Sequence, residues 1–221
     1  MPGGGVASAR GSSRQRLLLA TRSPHKLREL RQLLALERAE LVSLDDVGVD
    51  DEPEETGRTF RANASLKARH YARAAGLPTL ADDSGLEVDA LDGGPGIRTK
   101  RYSGPGATDA SNNAKLLAAL GDLPPERRVA RYVCVLALAE PSTSGPRGGL
   151  RTRTVRGTFR GRIARAPKGS EGFGYDPIFE PADEPPGGRT VGQMSPEEKN
   201  RRSHRAAAAR RMAPILRDLG F

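Results

Sequence analysis

The sequence predicts a single α/β domain with a cleft, and three observations carry that expectation. Short apolar runs of strand length alternate with longer segments whose apolar residues keep helical spacing. At 221 residues the chain is long for one compact domain and short for two. Although only 4% of the residues are aromatic, runs such as Val133 to Ala139 form a core and are not solvated segments.

Leu17 to Ala20 reads as a short buried strand. Ser23 and Pro24 then supply an N-cap and a first helical residue, and Leu27, Leu30 and Leu34 fall on one face of the helix that follows. A second strand is expected at Leu41 to Leu44. An acidic loop, Asp45 to Gly57, leads into a helix marked by Phe60, Ala64, Ala68, Tyr71 and Ala75 and ended by Gly76 and Pro78. Thr79 to Ala81 reads as a third strand that stops at Asp82-Asp83-Ser84-Gly85, so this polar run is expected to cap it; Leu86 to Ala90 alternates like a further strand.

Thr108 to Leu120 has helical spacing, and two long strands, Val129 to Ala139 and Arg151 to Phe159, flank a loop over Pro141 to Gly149. Pro181 to Gly188 is a breaker-rich surface loop. Ser195-Pro196-Glu197-Glu198 carries the Ser-x-x-Glu capping box and opens one final helix that runs to about Leu219. Residues 1–15, rich in Gly, Ser and Ala at their start, are expected to form a disordered extension before a single domain over 16–221.

The formal charge of +9, from 36 Lys and Arg against 27 Asp and Glu, invites a nucleic-acid reading. Its distribution weakens that reading, because Arg10, Arg14 and Arg16 meet no acid in the first sixteen residues and a further excess lies between Lys199 and Arg217. A nucleic-acid binder also leaves the acidic clusters without a purpose. The one cysteine, Cys134, sits in an apolar run, which excludes a disulfide within the chain and fits a reducing cytoplasm. No apolar run approaches the roughly 18 residues of a membrane span, so no membrane partner is expected.

Five segments carry chemistry. Thr21 to Lys26 places backbone N–H groups, a hydroxyl and a lysine at a helix N-terminus, a phosphate site in outline that is not the Gly-rich Walker loop. Asp50 to Glu55 and Asp82-Asp83 supply hard oxygens of the kind Mg²⁺ takes from one or two carboxylates beside phosphate and water. Phe173-Gly174-Tyr175-Asp176 sets two aromatics around a glycine, a slot for a flat base or a plain turn, and Lys199, Ser203, His204 and Arg205 cluster near the last helix start. Taken alone, His25 and His70 have no ligand partner and read as surface residues.

The order of these motifs resembles the inosine triphosphate pyrophosphatase family, the non-standard purine NTP pyrophosphatases. They run from the Thr21–Lys26 loop through Glu54-Glu-Thr-Gly57, Phe60-x-x-Asn63-x-x-x-Lys67-Ala68 and Ala81-Asp-Asp-Ser-Gly85 to Phe173-Gly-Tyr-Asp176, Glu198-Lys199 and Ser203-His-Arg205, spanning Leu17 to Leu219. The resemblance implies an elongated mixed β-sheet flanked by helices, two lobes with a central substrate cleft, and usually a homodimer. It implies hydrolysis of ITP, dITP and XTP to monophosphate and pyrophosphate with Mg²⁺, with no stable nucleic-acid partner.

Carried over by position, Thr21, Arg22, Ser23, Pro24, His25, Lys26 and Lys67 would surround the triphosphate, and Ser84 would touch substrate. Glu54 and Asp83 would bind Mg²⁺, and Asp83 would accept the proton. Metal binding lowers a carboxylate's basicity, which leaves Asp82 or hydroxide at the metal as alternatives for that last role. Phe173, Gly174, Tyr175, Asp176, Lys199, His204 and Arg205 would line a pocket for a 6-keto purine, and donors left unpaired by a 6-amino group discriminate by on the order of 10⁴. The same 6-keto group in GTP means that its rejection lies at the 2-position. The family's loop normally has Asn where this chain has Ser23, so Ser23 is expected to act mainly as the helix cap.

Overall fold

The computed structural model describes residues 14–141 and 149–221. The extension expected over 1–15 and the loop expected over 141–149 lie almost wholly outside the described residues. In chain order the elements are β1 (Gln15–Ala20), α1 (Pro24–Leu34), β2 (Ala39–Ser43), α2 (Phe60–Ala75), β3 (Thr79–Val88), α3 (Asp109–Leu120), β4 (Val129–Pro141), β5 (Leu150–Ile163), β6 (Phe179–Pro181), α4 (Pro196–Arg202) and α5 (His204–Asp218).

One sheet orders the strands β2-β1-β3-β4-β5-β6. β1 lies parallel to β2 and β3, and the later pairings are antiparallel. The parallel part needs crossover helices, and α1 and α2 supply them on opposite faces. Leu30 and Leu34 of α1 pack with α5 against Leu17, Leu19, Leu80, Leu136 and Leu138. α2 packs Ala64, Ala68 and Tyr71 on Leu18, Ala20, Ala81, Val135 and Ala137. The chain therefore diverges to both faces between β1 and β3, and at such a switch point the crevice outside the strand carboxyl ends is open for a ligand.

β3 departs from the sequence expectation. Asp82-Asp83-Ser84-Gly85 does not cap a strand; it lies inside one continuous strand from Thr79 to Val88, because each of these residues continues the antiparallel ladder with β4, from Asp82 opposite Leu136 to Gly85 opposite Val133. The opposite edge is different. β1 ends at Ala20 beside Ala81, so from Asp82 to Gly85 that edge of β3 has no strand neighbour. Gly85 is required there, because a Cβ would strike Thr99 Oγ1, the Gly96 carbonyl and the Phe60 ring.

The last helix is also corrected. It is two helices that meet at Ser203, which holds φ −63° and ψ 159° and whose Oγ accepts from the Ala206 amide as the N-cap of α5. The break puts His204 and Arg205 in the first turn of α5, over the sheet. Beyond the switch point, Leu86, Val88, Leu116, Leu120, Ile163, Tyr175 and Phe179 form a further core that binds α3 and the segment after β5 to the far end of the sheet.

α5 lies directly on β5 at Gly157, where an added Cβ would meet the His204 carbonyl and the Ala208 amide. Both are backbone atoms that no rotamer can move. Gly157→Ala is therefore expected to destabilise the fold by about 2 kcal/mol through overpacking. An unchanged urea midpoint would show that α5 is free to lift.

Candidate active site

A cavity of about 500 Å³ opens at the bare edge of β3. Thr21, Arg22, Ser23, Pro24, His25 and Lys26 line one wall, with Lys67, Asp83 and Ser84 beside them. Phe173, Gly174, Tyr175 and Asp176 line the other end with Lys199, His204 and Arg205. Glu54 stands apart: it is exposed, and from the same acidic loop Glu52 and Glu55 line the cavity instead.

Side chains alternate along a strand, and this sends the two aspartates to opposite faces. Asp82 points toward α1 and α5. Its Oδ1 accepts from Lys26 Nζ and from Ser84 Oγ at 3.0 Å, and its Oδ2 accepts from Arg205 Nε at 3.0 Å and the Cys134 thiol at 3.1 Å. Burial opposes its ionisation, but Arg205 and Lys26 outweigh burial and hold the carboxyl well below the usual aspartate range. A carboxylate so fully engaged is an anchor and has no free lone pair with which to take a proton.

Asp83 points toward α2. Lys67 Nζ donates to its Oδ1 at 3.0 Å and to Glu55 Oε1 at 2.9 Å, while Asp83 Oδ2 is buried with no partner among the described residues. Burial is the largest influence on Asp83 and carries its carboxyl above the ordinary value in spite of Lys67. On Lys67 burial is outweighed by Asp83 and Glu55, so the ammonium stays protonated. An orphaned carboxylate oxygen in a cleft, on an acid shifted upward, is a site for a proton or a cation.

The first wall is built on the N-terminus of α1. Thr21 Oγ1 accepts from the Ser23 amide at 3.2 Å, and Ser23 Oγ accepts from the Lys26 amide at 3.5 Å, so Ser23 is the cap of the helix. Arg22 turns away and donates to the Val49 carbonyl at 2.7 Å. His25 is exposed, as the sequence suggested, yet its ring stacks on Phe173 with centroids 5.1 Å apart, which joins the phosphate-type loop to the aromatic end. His70 instead meets Asp51 at 2.6 Å.

At the aromatic end, Asp176 Oδ2 accepts from Lys199 Nζ at 2.8 Å and from the Phe173 amide at 2.9 Å. Gly172 leaves room for that carboxylate, which a Cβ would hit. Lys199 Nζ sits 4.2 Å from the centre of the Phe173 ring. Sequence reading missed Glu29, which pairs with both Lys199, at 3.0 Å, and Arg205. Its position one turn after Lys26 on the same helix was the available signal. Thr99 and Lys100 also line the cavity and were missed, since nothing near them forms a motif.

The residues present fit a hard divalent cation. Asp83 Oδ2 lacks a donor, and Glu55 stands close by through Lys67. No group of three or more His, Cys, Asp or Glu forms a closed metal cage among the described residues. Mg²⁺ does not need one, because it is commonly held by one or two carboxylates with phosphate oxygens and water.

A family model described as the Ham1 family matches residues 17–215. The chain is 49% identical over 206 residues to a dITP/XTP pyrophosphatase of Mycolicibacterium paratuberculosis, covering 92% of this chain and 96% of that one. It is 48% identical over 204 residues to a dITP/XTP pyrophosphatase of Nocardia farcinica, covering 91% and 94%. Among solved structures, a HAM1 protein from Coxiella burnetii superposes with a TM-score of 0.80 at 39% identity, over 92% of this chain and 99% of the other. No helix of the described residues is long and apolar enough to cross a membrane.

His204 is buried beside these cations, and loss of water, with Arg205 and Lys199 adding, holds its imidazole well below the free-histidine value of 6.5. The unfolded chain therefore takes up a proton before the folded one as pH falls. This contribution to stability is complete above about pH 6.5 and declines below it by up to about 1.4 kcal/mol per pH unit, until the folded imidazole protonates. Urea midpoints at about pH 7.5 and about pH 5.5 should differ less in His204→Gln than in the parent chain. An equal drop in both would remove His204 from the acid response.

Proposed function

Because the chain belongs to the Ham1 family, we propose that it hydrolyses non-standard purine nucleoside triphosphates, ITP, dITP and XTP, to the monophosphate and pyrophosphate. The observation that carries the reading is Asp83, whose buried and unpartnered oxygen faces a cleft with lysines on one side and an aromatic slot on the other. The solved Mycobacterium abscessus protein titled nucleoside-triphosphatase / dITP/XTP pyrophosphatase, 46% identical with a TM-score of 0.70 over 91% of this chain and 99% of the other, supports the same reading.

In this mechanism the amides at the start of α1, Lys26 and Lys67 bind the triphosphate, and their positive charge offsets the charge that gathers on the departing pyrophosphate. Thr21, Arg22, Ser23, Pro24 and His25 shape that wall, with Ser23 as cap. Ser84 touches substrate from β3. Water attacks, the bond between the α and β phosphates breaks, and Asp83 orients the water or takes its proton. Asp83 and, from the acidic loop, Glu54 would hold Mg²⁺, which would supply charge neutralisation for the phosphates and lower the pKa of water. Asp82 is excluded as the base by its four donors.

Phe173 to Asp176, Lys199, His204 and Arg205 receive the base. Lys199 and Arg205 present N–H donors that a 6-keto oxygen accepts and a 6-amino group cannot. The enzyme is further read as one catalytic domain that works as a homodimer in the cytoplasm, where the buried free thiol of Cys134 stays reduced.

With Mg²⁺, pyrophosphate release is expected from ITP, dITP and XTP at rates far above those from ATP, GTP or pyrimidine triphosphates. Release of phosphate with a diphosphate product, or equal rates across bases, would refute the assignment. Asp83→Asn should lower kcat by roughly 10²–10⁴-fold with the fold intact by circular dichroism. Glu54→Gln should raise the Mg²⁺ concentration for half-maximal rate more than Glu55→Gln does; the reverse order would move the metal to Glu55.

A further inference from the structure

Tyr132 lies on β4, where strand alternation turns it with Cys134 toward the α5 face of the sheet. Its hydroxyl donates to Asp176 Oδ1 at 3.1 Å. The other oxygen of Asp176 already accepts from Lys199 and from the Phe173 amide. Asp176 is 2% exposed, so without the tyrosine hydroxyl Oδ1 would be buried with no donor. The carboxylate would then gain by turning, and Lys199 and the Phe173 loop are bonded to it.

The ring of Tyr132 has a second task. It stacks on His204 with centroids 4.7 Å apart and planes 10° from parallel, and leans on Phe179 with centroids also 4.7 Å apart. His204 Nδ1 has no hydrogen-bond partner among the described residues. A histidine ring is usually oriented by the bond its second nitrogen makes. Here that bond is missing, and the stack is what sets the plane of the imidazole.

We infer that Tyr132 is a positioning residue for base recognition, its hydroxyl fixing the Asp176–Lys199 pair and its ring fixing the plane of His204. One side chain thus holds both halves of the base pocket, the loop after β5 and the start of α5. The inference rests on the pyrophosphatase reading. Burial, with Asp176 adding, pushes the Tyr132 hydroxyl well above the usual tyrosine range, so it remains a donor at any pH at which the enzyme would work.

Steady-state kinetics of Tyr132→Phe and Tyr132→Leu against ITP and ATP test this. Tyr132→Phe keeps the ring and loses the hydroxyl; KM for ITP should rise roughly tenfold, the loss of about one charge-assisted hydrogen bond, with kcat little changed and the ITP/ATP ratio of kcat/KM falling in step. Tyr132→Leu also removes the stack and should lower that ratio further, with melting curves confirming that both variants fold. A parent enzyme without preference for ITP would overturn the functional reading and this inference with it. A parent that prefers ITP, with the same preference and KM in Tyr132→Phe, or an equal loss of kcat for both nucleotides, would overturn the inference alone.

Discussion

Asp82 is fully enclosed and still charged, a state that costs several kcal/mol unless its lone pairs are met by well-placed donors. They are met by Lys26 from the first turn of α1, Ser84 from its own strand, Cys134 from β4 and Arg205 from α5. These donors come from separate parts of the chain, and one carboxylate fixes their mutual positions. Removing it would leave Arg205 and Lys26 as buried or half-buried cations without their main partner, so the α1 wall of the cavity and its aromatic end would loosen together.

The neighbouring residue shows why one strand can carry two different acids. A pleated strand sends Asp82 and Asp83 to opposite faces, and each face belongs to a different crossover helix. On the α5 face the carboxylate meets four donors; on the α2 face it meets Lys67 and keeps one oxygen bare. The division between a fully bonded anchor and a carboxylate with a bare oxygen follows from that difference in partners, because the residue type is the same. It requires that β1 stop at Ala20, since a further residue of pairing would cover the edge of β3 at which the cleft opens.

Much of the architecture could be read from apolar spacing, and the failures have identifiable causes. The strands around Leu17, Leu41 and Val133 and the helices at Phe60 and Thr108 were legible because each buries one face or both. Asp82 to Gly85 was misread as a strand cap because a polar run inside a strand breaks the alternation rule; only the ladder with β4, a contact between residues far apart in sequence, keeps it extended. Ser203 was hidden in a helical pattern, although serine before a run of alanines is an N-cap signal. Of the residues proposed for the site from motifs, all but Glu54 line the one cavity. Glu29, Thr99 and Tyr132 were not legible, because they act through partners on other elements and leave no local trace.

Glu29 carries the synthesis one step further. α1 begins with the amides and Lys26 of one wall of the cavity, and one turn later the same helix presents Glu29 to Lys199 and Arg205 at the aromatic end. A helix turn is rigid, so the distance between the two ends of the substrate site is set by covalent and hydrogen-bonded geometry. On the proposed function, a base that fits Lys199 and Arg205 would place its triphosphate at Asp83 without further adjustment, and a base that does not fit would hold it out of register. Because a displacement of about 1 Å at the reacting atoms can cost on the order of 10² in rate, base recognition through Glu29 would on that reading become selectivity in the chemical step one turn away, at the start of α1.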